Sequence, residues 1–307
     1  MQRQLQDQGG EARGAAATKH GLAAGDAGRP ERADWTIDQG WERYTAEDHG
    51  VWKSLFERQT ALRPGRACDA YVDGMRRLPI GADAIPDFRR LSDVLMQRTG
   101  WQVVAVPGLV PDEVFFDHLA HRRFPAGHFI RKPHELDYLE EPDVFHDVFG
   151  HVPMLMNPVI ADYIQAYGEG GLRAQRLGYL PNLARVYWYT VEFGLIRTPA
   201  GLKIYGAGIA SSSAETVYAI DNASPNRVSF DLERVMRTKY RIDDFQESYF
   251  VIDSFDELFG ETYKDFGPLY ARLQSGLTHE PGTILSTDRL HHRGTHRYQP
   301  GSHRASA

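Results

Sequence analysis

The 307-residue chain contains a single cysteine, Cys68. An intrachain disulfide is therefore impossible, and a cysteine-rich zinc site is excluded with it. No run of 18 or more apolar residues occurs, so no membrane-spanning helix is expected. The opening residues, Met1-Gln-Arg-Gln-Leu-Gln-Asp-Gln-Gly-Gly, lack the apolar core of a secretory signal, and the expected location is the cytoplasm. Long blocks of one charge are missing too. The net charge is −6, and the residues from 34 to 278 hold 26 basic side chains against 35 acidic ones. An acidic body argues against nucleic acid as a partner, because phosphate binding needs clustered positive charge. No heptad run suggests a coiled-coil oligomer, so a monomer is expected.

What is present is ordinary for a soluble globular protein, with 42% hydrophobic and 25% charged residues. Residues 1–33 are rich in Gly, Ala, Arg and Gln and carry almost no large apolar side chains. They bury too little to offset their ordering entropy, and disorder is expected there. The same is expected of residues 286–307, where His291, His292, His296 and His303 sit among Arg, Gly and Pro. Such a tail is far more often solvated than a metal site. Between these ends no repeat or linker interrupts the pattern, and residues 34–285 read as a single catalytic domain. Apolar spacing predicts helices over about 36–62, 66–78, 87–99, 111–121, 143–150, 157–169, 181–197, 211–219 and 231–238. Short strands are predicted at 101–106, 202–205 and 249–252. Helices dominate without regular βαβ alternation, so the expected fold is predominantly helical α+β.

Chemistry concentrates in Glu141-Pro-Asp-Val-Phe-His146-Asp-Val-Phe-Gly-His151-Val-Pro. Pro142 suits the first position of a helix. Val144, Phe145, Val148 and Phe149 form its apolar stripe, and Gly150 is a natural stop that places His151 just past the end. Residues five apart on an unbroken α-helix diverge by about 140°. His146 and His151 can therefore converge only if the helix ends or bends between them. On a straight helix Asp147 and His151 are the better-aligned pair, so spacing leaves Asp147 as a rival ligand. Further on, Glu192 lies in the apolar run Val186–Ile196, with Trp188, Tyr189, Leu195 and Ile196 at helical spacing around it. A carboxylate buried on such a face must be protonated, paired or bound to a cation. Arg185, two turns earlier, offers a buried ion pair as the competing explanation. Two imidazoles and one carboxylate can hold a metal on one face and leave several positions open, as in Fe(II) enzymes that activate oxygen.

The segment Pro142-Asp-Val-Phe-His-Asp-Val-Phe-Gly-His-Val-Pro153 resembles the iron-binding motif of the aromatic amino acid hydroxylases. So do Val186-Tyr-Trp-Tyr-Thr-Val-Glu-Phe-Gly194 and Tyr205-Gly-Ala-Gly-Ile-Ala-Ser-Ser212. The three blocks occur in the family's order and spacing, within a resemblance that runs over about residues 100–255. It implies the aromatic amino acid monooxygenase fold and iron ligation by His146, His151 and Glu192. Asp147 would then lie near the pterin rather than on the metal. Phe115 matches the family's stacking platform for the pterin ring, although its spacing alone suits a core residue of helix 111–121. Gly108, Leu109 and Val110 match the loop whose backbone meets the pterin edge. Arg131 matches the anchor of the substrate α-carboxylate, where a guanidinium fork meets both oxygens; a basic pair such as Arg131-Lys132 otherwise reads as surface. Asp143 would orient Arg131, and Ser211 would add a hydroxyl contact to the substrate. Trp188, Pro142 and Phe193 would line the aromatic pocket. Leu139 stands where many animal members carry Thr, so that contact is not carried over.

The resemblance further implies hydroxylation of L-phenylalanine to L-tyrosine, with O2 as co-substrate and Fe(II) and a tetrahydropterin as cofactors. The length, without a long regulatory segment or terminal coiled coil, is similar to that of bacterial members acting on phenylalanine. Family members acting on tyrosine or tryptophan are the nearest alternative. A zinc hydrolase is a different class, but the helical His-Glu-x-x-His signature is absent. A non-catalytic iron or pterin sensor would bind both cofactors without consuming oxygen.

Overall fold

Thr45 starts the first long helix with a reciprocal cap: its hydroxyl accepts from the Asp48 N–H while the Asp48 carboxylate accepts from the Thr45 N–H. The computed structural model describes residues 32–298 except 138 and 140. The disorder expected for residues 1–31 and 299–307 thus lies outside the described residues. Helix α1 (Ala46–Leu62) is followed by α2 (Asp69–Arg77) and α3 (Phe88–Thr99). Asp87 caps α3 at its start and Gly100 ends it in the left-handed conformation.

Strand β1 (Gln102–Val106), helix α4 (Asp112–Ala120) and strand β2 (Arg123–Gly127) form one βαβ unit, with β1 and β2 parallel. β2 was not expected. Its sequence, Arg-Phe-Pro-Ala-Gly, contains a proline and a glycine that suppress a strand reading, and both are tolerated in a two-stranded sheet where every strand is an edge.

The long helix α5 (Pro158–Leu177) opens on Asn157, whose side chain accepts from the Val159 and Ile160 N–H groups, and packs along α4. Helix α6 (Leu180–Tyr187) follows, then β3 (Leu195–Thr198) and β4 (Gly201–Ile204). A single turn α7 (Ala207–Ala210) leads into α8 (Ser213–Asp221), β5 (Asn226–Ser229) and α9 (Leu232–Arg237). Strand β6 (Ser248–Ile252) and helices α10 (Phe255–Thr262) and α11 (Gly267–Leu273) complete the pattern before β7 (Leu290–His292). Five strands make one mixed sheet in the order β4-β3-β6-β5-β7. The fold is α+β and mainly helical, as read from the sequence. Among the described residues, no helix is long and apolar enough to cross a membrane.

Four expectations need correction. The helix expected over about 36–62 begins only at Ala46, with a short 3-10 turn at Trp41–Arg43 before it. Residues 181–197 are not one helix: α6 ends at Tyr187, a π-helical turn spans Trp188–Glu192, and the chain then enters β3. An unbroken apolar run carries no signal for that change, because helix and strand bury it equally well. Residues 143–150 do not form an α-helix that stops at Gly150; a π-helix runs from Phe145 through His151. Residues 286–298 are not an unfolded tail. β7 pairs antiparallel with β5, and Asp288 is buried in an ion pair with Arg234 at 3.0 Å. His291 and His292 hydrogen-bond Ser229 Oγ and the Ala223 carbonyl, which polar composition alone could not foretell.

Candidate metal centre

Asp143 starts the site. Fully buried, it accepts hydrogen bonds from the Arg131 N–H, Nε and Nη2 and from the His146 N–H, at 2.8–3.0 Å. Burial alone would raise its pKa, but the Arg131 guanidinium outweighs that and holds it below the ordinary carboxylate range. One carboxylate therefore fixes both Arg131 and the entry to the π-helix Phe145–His151.

The wider π turn, with its i→i+5 hydrogen bonds, brings residues five apart onto one side. It resolves the spacing problem of His146 and His151 without ending the helix. Gly150 serves a different purpose from the expected stop. A Cβ there would lie 2.9 Å from the Ala207 carbonyl oxygen, so glycine lets α7 press against the π turn. The second π turn, Trp188–Glu192, delivers Glu192 from the other side.

Nε2 of His146 and Nε2 of His151 are 3.2 Å apart. His151 Nε2 is 3.3 Å from Glu192 Oε1, and His146 Nε2 is 3.6 Å from Glu192 Oε2. Among the described residues this is the one group of three or more His, Cys, Asp or Glu side chains close enough to share a metal ion. Ligands 90° apart on bonds of ~2.1 Å are separated by about 3.0 Å. The separations, two of them to different Glu192 oxygens, are of the size that three donors on one side of a single ion would have, which would leave other positions open. The His146 side chain keeps 18% exposure against 4% for His151 and 8% for Glu192, so the site opens on the His146 side.

The protons are arranged to suit. Ser211 Oγ donates to the Ala207 carbonyl at 2.8 Å and lies 3.0 Å from His146 Nδ1. With its only proton so used, the hydroxyl accepts from Nδ1–H, which leaves a lone pair on Nε2. Burial pushes the His146 pKa down to about 4, the Glu192 carboxylate opposing, so the ring is neutral. Burial also disfavours charge on Glu192, but the adjacent His151 outweighs it and holds the carboxyl below its ordinary value. Arg185, the competing partner for Glu192, donates instead to the Met236 carbonyl at 2.8 Å.

Asp147 does not join the cluster. Its Oδ2 accepts from the Gly127 N–H at 2.7 Å, tying the π-helix to the end of β2, and burial pushes its pKa up to about 7. Ser211 adjoins the cluster through His146 Nδ1. Phe115 is buried and packs edge-on against Phe116 and Tyr187, which fixes the plane of its ring. The Gly108–Val110 loop is pinned from one side: the Leu109 N–H faces Glu141 Oε1 at 3.4 Å. The Pro142 carbonyl lies close to Gly127. Trp188 rests at 4.7 Å on Phe193 and stacks at 4.5 Å on Tyr240, and its indole N–H donates to Gln246 Oε1 at 2.8 Å. Glu141, Tyr240 and Gln246 were not singled out from sequence, since each touches the site through partners remote in the chain.

Comparison with known proteins follows the same lines. The profile of the biopterin-dependent aromatic amino acid hydroxylases matches residues 41–273. A phenylalanine-4-hydroxylase of Caulobacter vibrioides is 64% identical over 267 residues, 87% of this chain and 91% of its own length. The iron- and phenylalanine-bound structure of Chromobacterium violaceum phenylalanine hydroxylase superimposes with a TM-score of 0.82 at 57% identity, covering 85% of this chain and 95% of that one. A structure of the same enzyme with iron(III) and 7,8-dihydrobiopterin gives 0.82 at 58% identity, over 85% and 94%. On its fold, its metal-binding geometry and these likenesses, the chain belongs to the biopterin-dependent aromatic amino acid hydroxylase family.

Proposed function

We infer that the protein is a phenylalanine 4-monooxygenase, which hydroxylates L-phenylalanine to L-tyrosine with O2, Fe(II) and a tetrahydropterin. The convergence of His146 Nε2, His151 Nε2 and the two Glu192 carboxylate oxygens, at 3.2–3.6 Å, carries this reading. His146, His151 and Glu192 would hold the iron, their donor types and edge lengths fitting a divalent ion with open positions. Iron and pterin together supply the activation of O2 and the oxidising power, while the protein supplies binding and placement.

Ser211 keeps the proton on Nδ1 of His146 and so keeps Nε2 a ligand. Arg131 would bind the substrate α-carboxylate. Its Nε and Nη2 are committed to Asp143, whereas Nη1 makes only a 3.4 Å contact to the Leu136 carbonyl and retains donors for an anion. Trp188, Phe193 and Pro142 would wall the aromatic ring. The pterin would lie between Phe115 and the Gly108–Val110 backbone, with Asp147 nearby as a partly protonated polar neighbour. None of these side chains need act as a nucleophile. The reading includes a monomeric, cytoplasmic enzyme, in keeping with the one buried thiol of Cys68.

Aerobic incubation with L-phenylalanine tests it. Tyrosine formed only when Fe(II) and tetrahydropterin are both present is the expected result. Bound iron without tyrosine, or hydroxylation of tryptophan or tyrosine in preference, would overturn it.

A further inference from the structure

Trp188 offers a single polar atom, the indole N–H, and that atom is held by Gln246 at 2.8 Å. Gln246 is 2% exposed and its amide is saturated: Nε2 donates to the Arg241 carbonyl at 2.9 Å and lies 3.4 Å from that of Asp244. The amide therefore cannot turn, and Oε1 is presented to the indole. The segment bearing it is clamped on both sides. Phe245 stacks on Tyr218 of α8 at 4.3 Å with nearly parallel planes, and the Gln246 N–H faces the buried Glu215 of the same helix at 3.4 Å. α8 begins two residues after Ser211, the partner of His146. Tyr240, from the same stretch of chain, stacks on the indole at 4.5 Å, and Phe193 meets it tilted by 36° at 4.7 Å.

We propose that Gln246 is a positioning residue for the substrate pocket, fixing the plane of the Trp188 indole against which the aromatic ring of the substrate is set. This rests on the assignment of Trp188 to that pocket. A stacked ring without the hydrogen bond could slide in its own plane. The bond to Gln246 removes that freedom and refers the wall of the pocket to the helix adjoining the metal centre.

The test is steady-state kinetics on the purified iron-loaded enzyme with Gln246→Met, which keeps the volume and removes the acceptor. KM for L-phenylalanine is expected to rise about 5- to 20-fold, from the loss of one buried hydrogen bond. KM for tetrahydropterin and the iron content should stay within about twofold. Gln246→Glu is the rescue variant. Burial beside Glu215 favours its neutral form, whose C=O still accepts from the indole, so KM should return close to that of the wild type. Trp188→Phe combined with Gln246→Met should be no worse than Trp188→Phe alone, because the two act through one bond. Additive losses, or an unchanged KM in Gln246→Met, would overturn the proposal while leaving the hydroxylase reading intact. An unchanged KM in Trp188→Phe would overturn it through the pocket assignment, and a wild type making no tyrosine would instead sink the function. If Gln246→Met does not fold, Gln246→Asn withdraws the same oxygen by one methylene, and the same split of KM values decides.

Discussion

Asp143 spends both carboxylate oxygens on four donors, three from Arg131 and one from the backbone of His146. Arg131 and His146, proposed to bind the substrate carboxylate and the metal, thus share one buried anchor. Removing the Arg131 charge would leave Asp143 buried and unpaired, a cost of about 3–5 kcal/mol. The informative change is therefore Arg131→Lys, which keeps the charge and loses the fork. It should raise KM for phenylalanine roughly 10- to 100-fold, as expected for a charged hydrogen bond, with a smaller effect on kcat. An unchanged KM would show that the carboxylate binds elsewhere. Ser211→Ala probes the other side of the site. With Nδ1 of His146 no longer held, Fe(II) affinity measured by chelator competition should fall about 10- to 100-fold. Equal affinity would remove Ser211 from the orienting role its geometry supports.

The two π turns are the elements on which the site depends, and both join segments the sequence presents as plain apolar runs. Apolar spacing made the ordinary helices legible, and the structure adds caps at Asp87 and Gly100 around α3 and at Asn157 before α5. Pro142 and Gly150 pointed to an ordinary helix at 143–150, and no sequence signal marked the π winding of Phe145–His151 or Trp188–Glu192. Spacing left Asp147 as a rival to His146, and the family resemblance singled out His146, His151 and Glu192, the three side chains whose ligand atoms the fold brings within 4.8 Å of one another. The hydrogen bond of Ser211 to His146 was not foreseen, since a hydroxyl in sequence gives no direction. The close contact of Gly150 with α7 yields a test at this scale. In Gly150→Ala the new Cβ, 2.9 Å from the Ala207 carbonyl, forces α7 outward at about 1–3 kcal/mol. At roughly 2–4 °C per kcal/mol the melting temperature should fall by several degrees, and iron affinity should weaken with it. If both stay at wild-type values, the packing of α7 on the π turn is not what holds the site.

Across the whole molecule the sheet and the helical layer meet through buried polar groups that composition could not reveal. Asp288 with Arg234 ties the C-terminal segment to α9, and Glu215 with Tyr249 ties α8 to β6. Residues 286–298 looked unfolded because their histidines and arginines are polar, yet their partners are supplied by strands and helices far away in sequence. Glu215 also makes stability depend on pH. Burial pushes its carboxyl from an ordinary 4.5 up to about 7. Between those values the folded protein binds a proton that the unfolded chain has released, so this contribution is full below about pH 4.5 and is lost as the pH rises through 7. It amounts to about 3 kcal/mol at most. Urea unfolding at pH 5 and pH 8 should show a smaller loss of stability in Glu215→Gln than in the wild type; parallel losses would contradict the assignment.

The account stands on one ion held by three side chains. Anomalous diffraction at the iron edge from crystals of the Fe(II)-loaded protein measures this directly. A single strong peak about 2.1 Å from His146 Nε2, His151 Nε2 and a Glu192 oxygen is predicted. A peak at other side chains, or none at the triad in fully loaded protein, would contradict it.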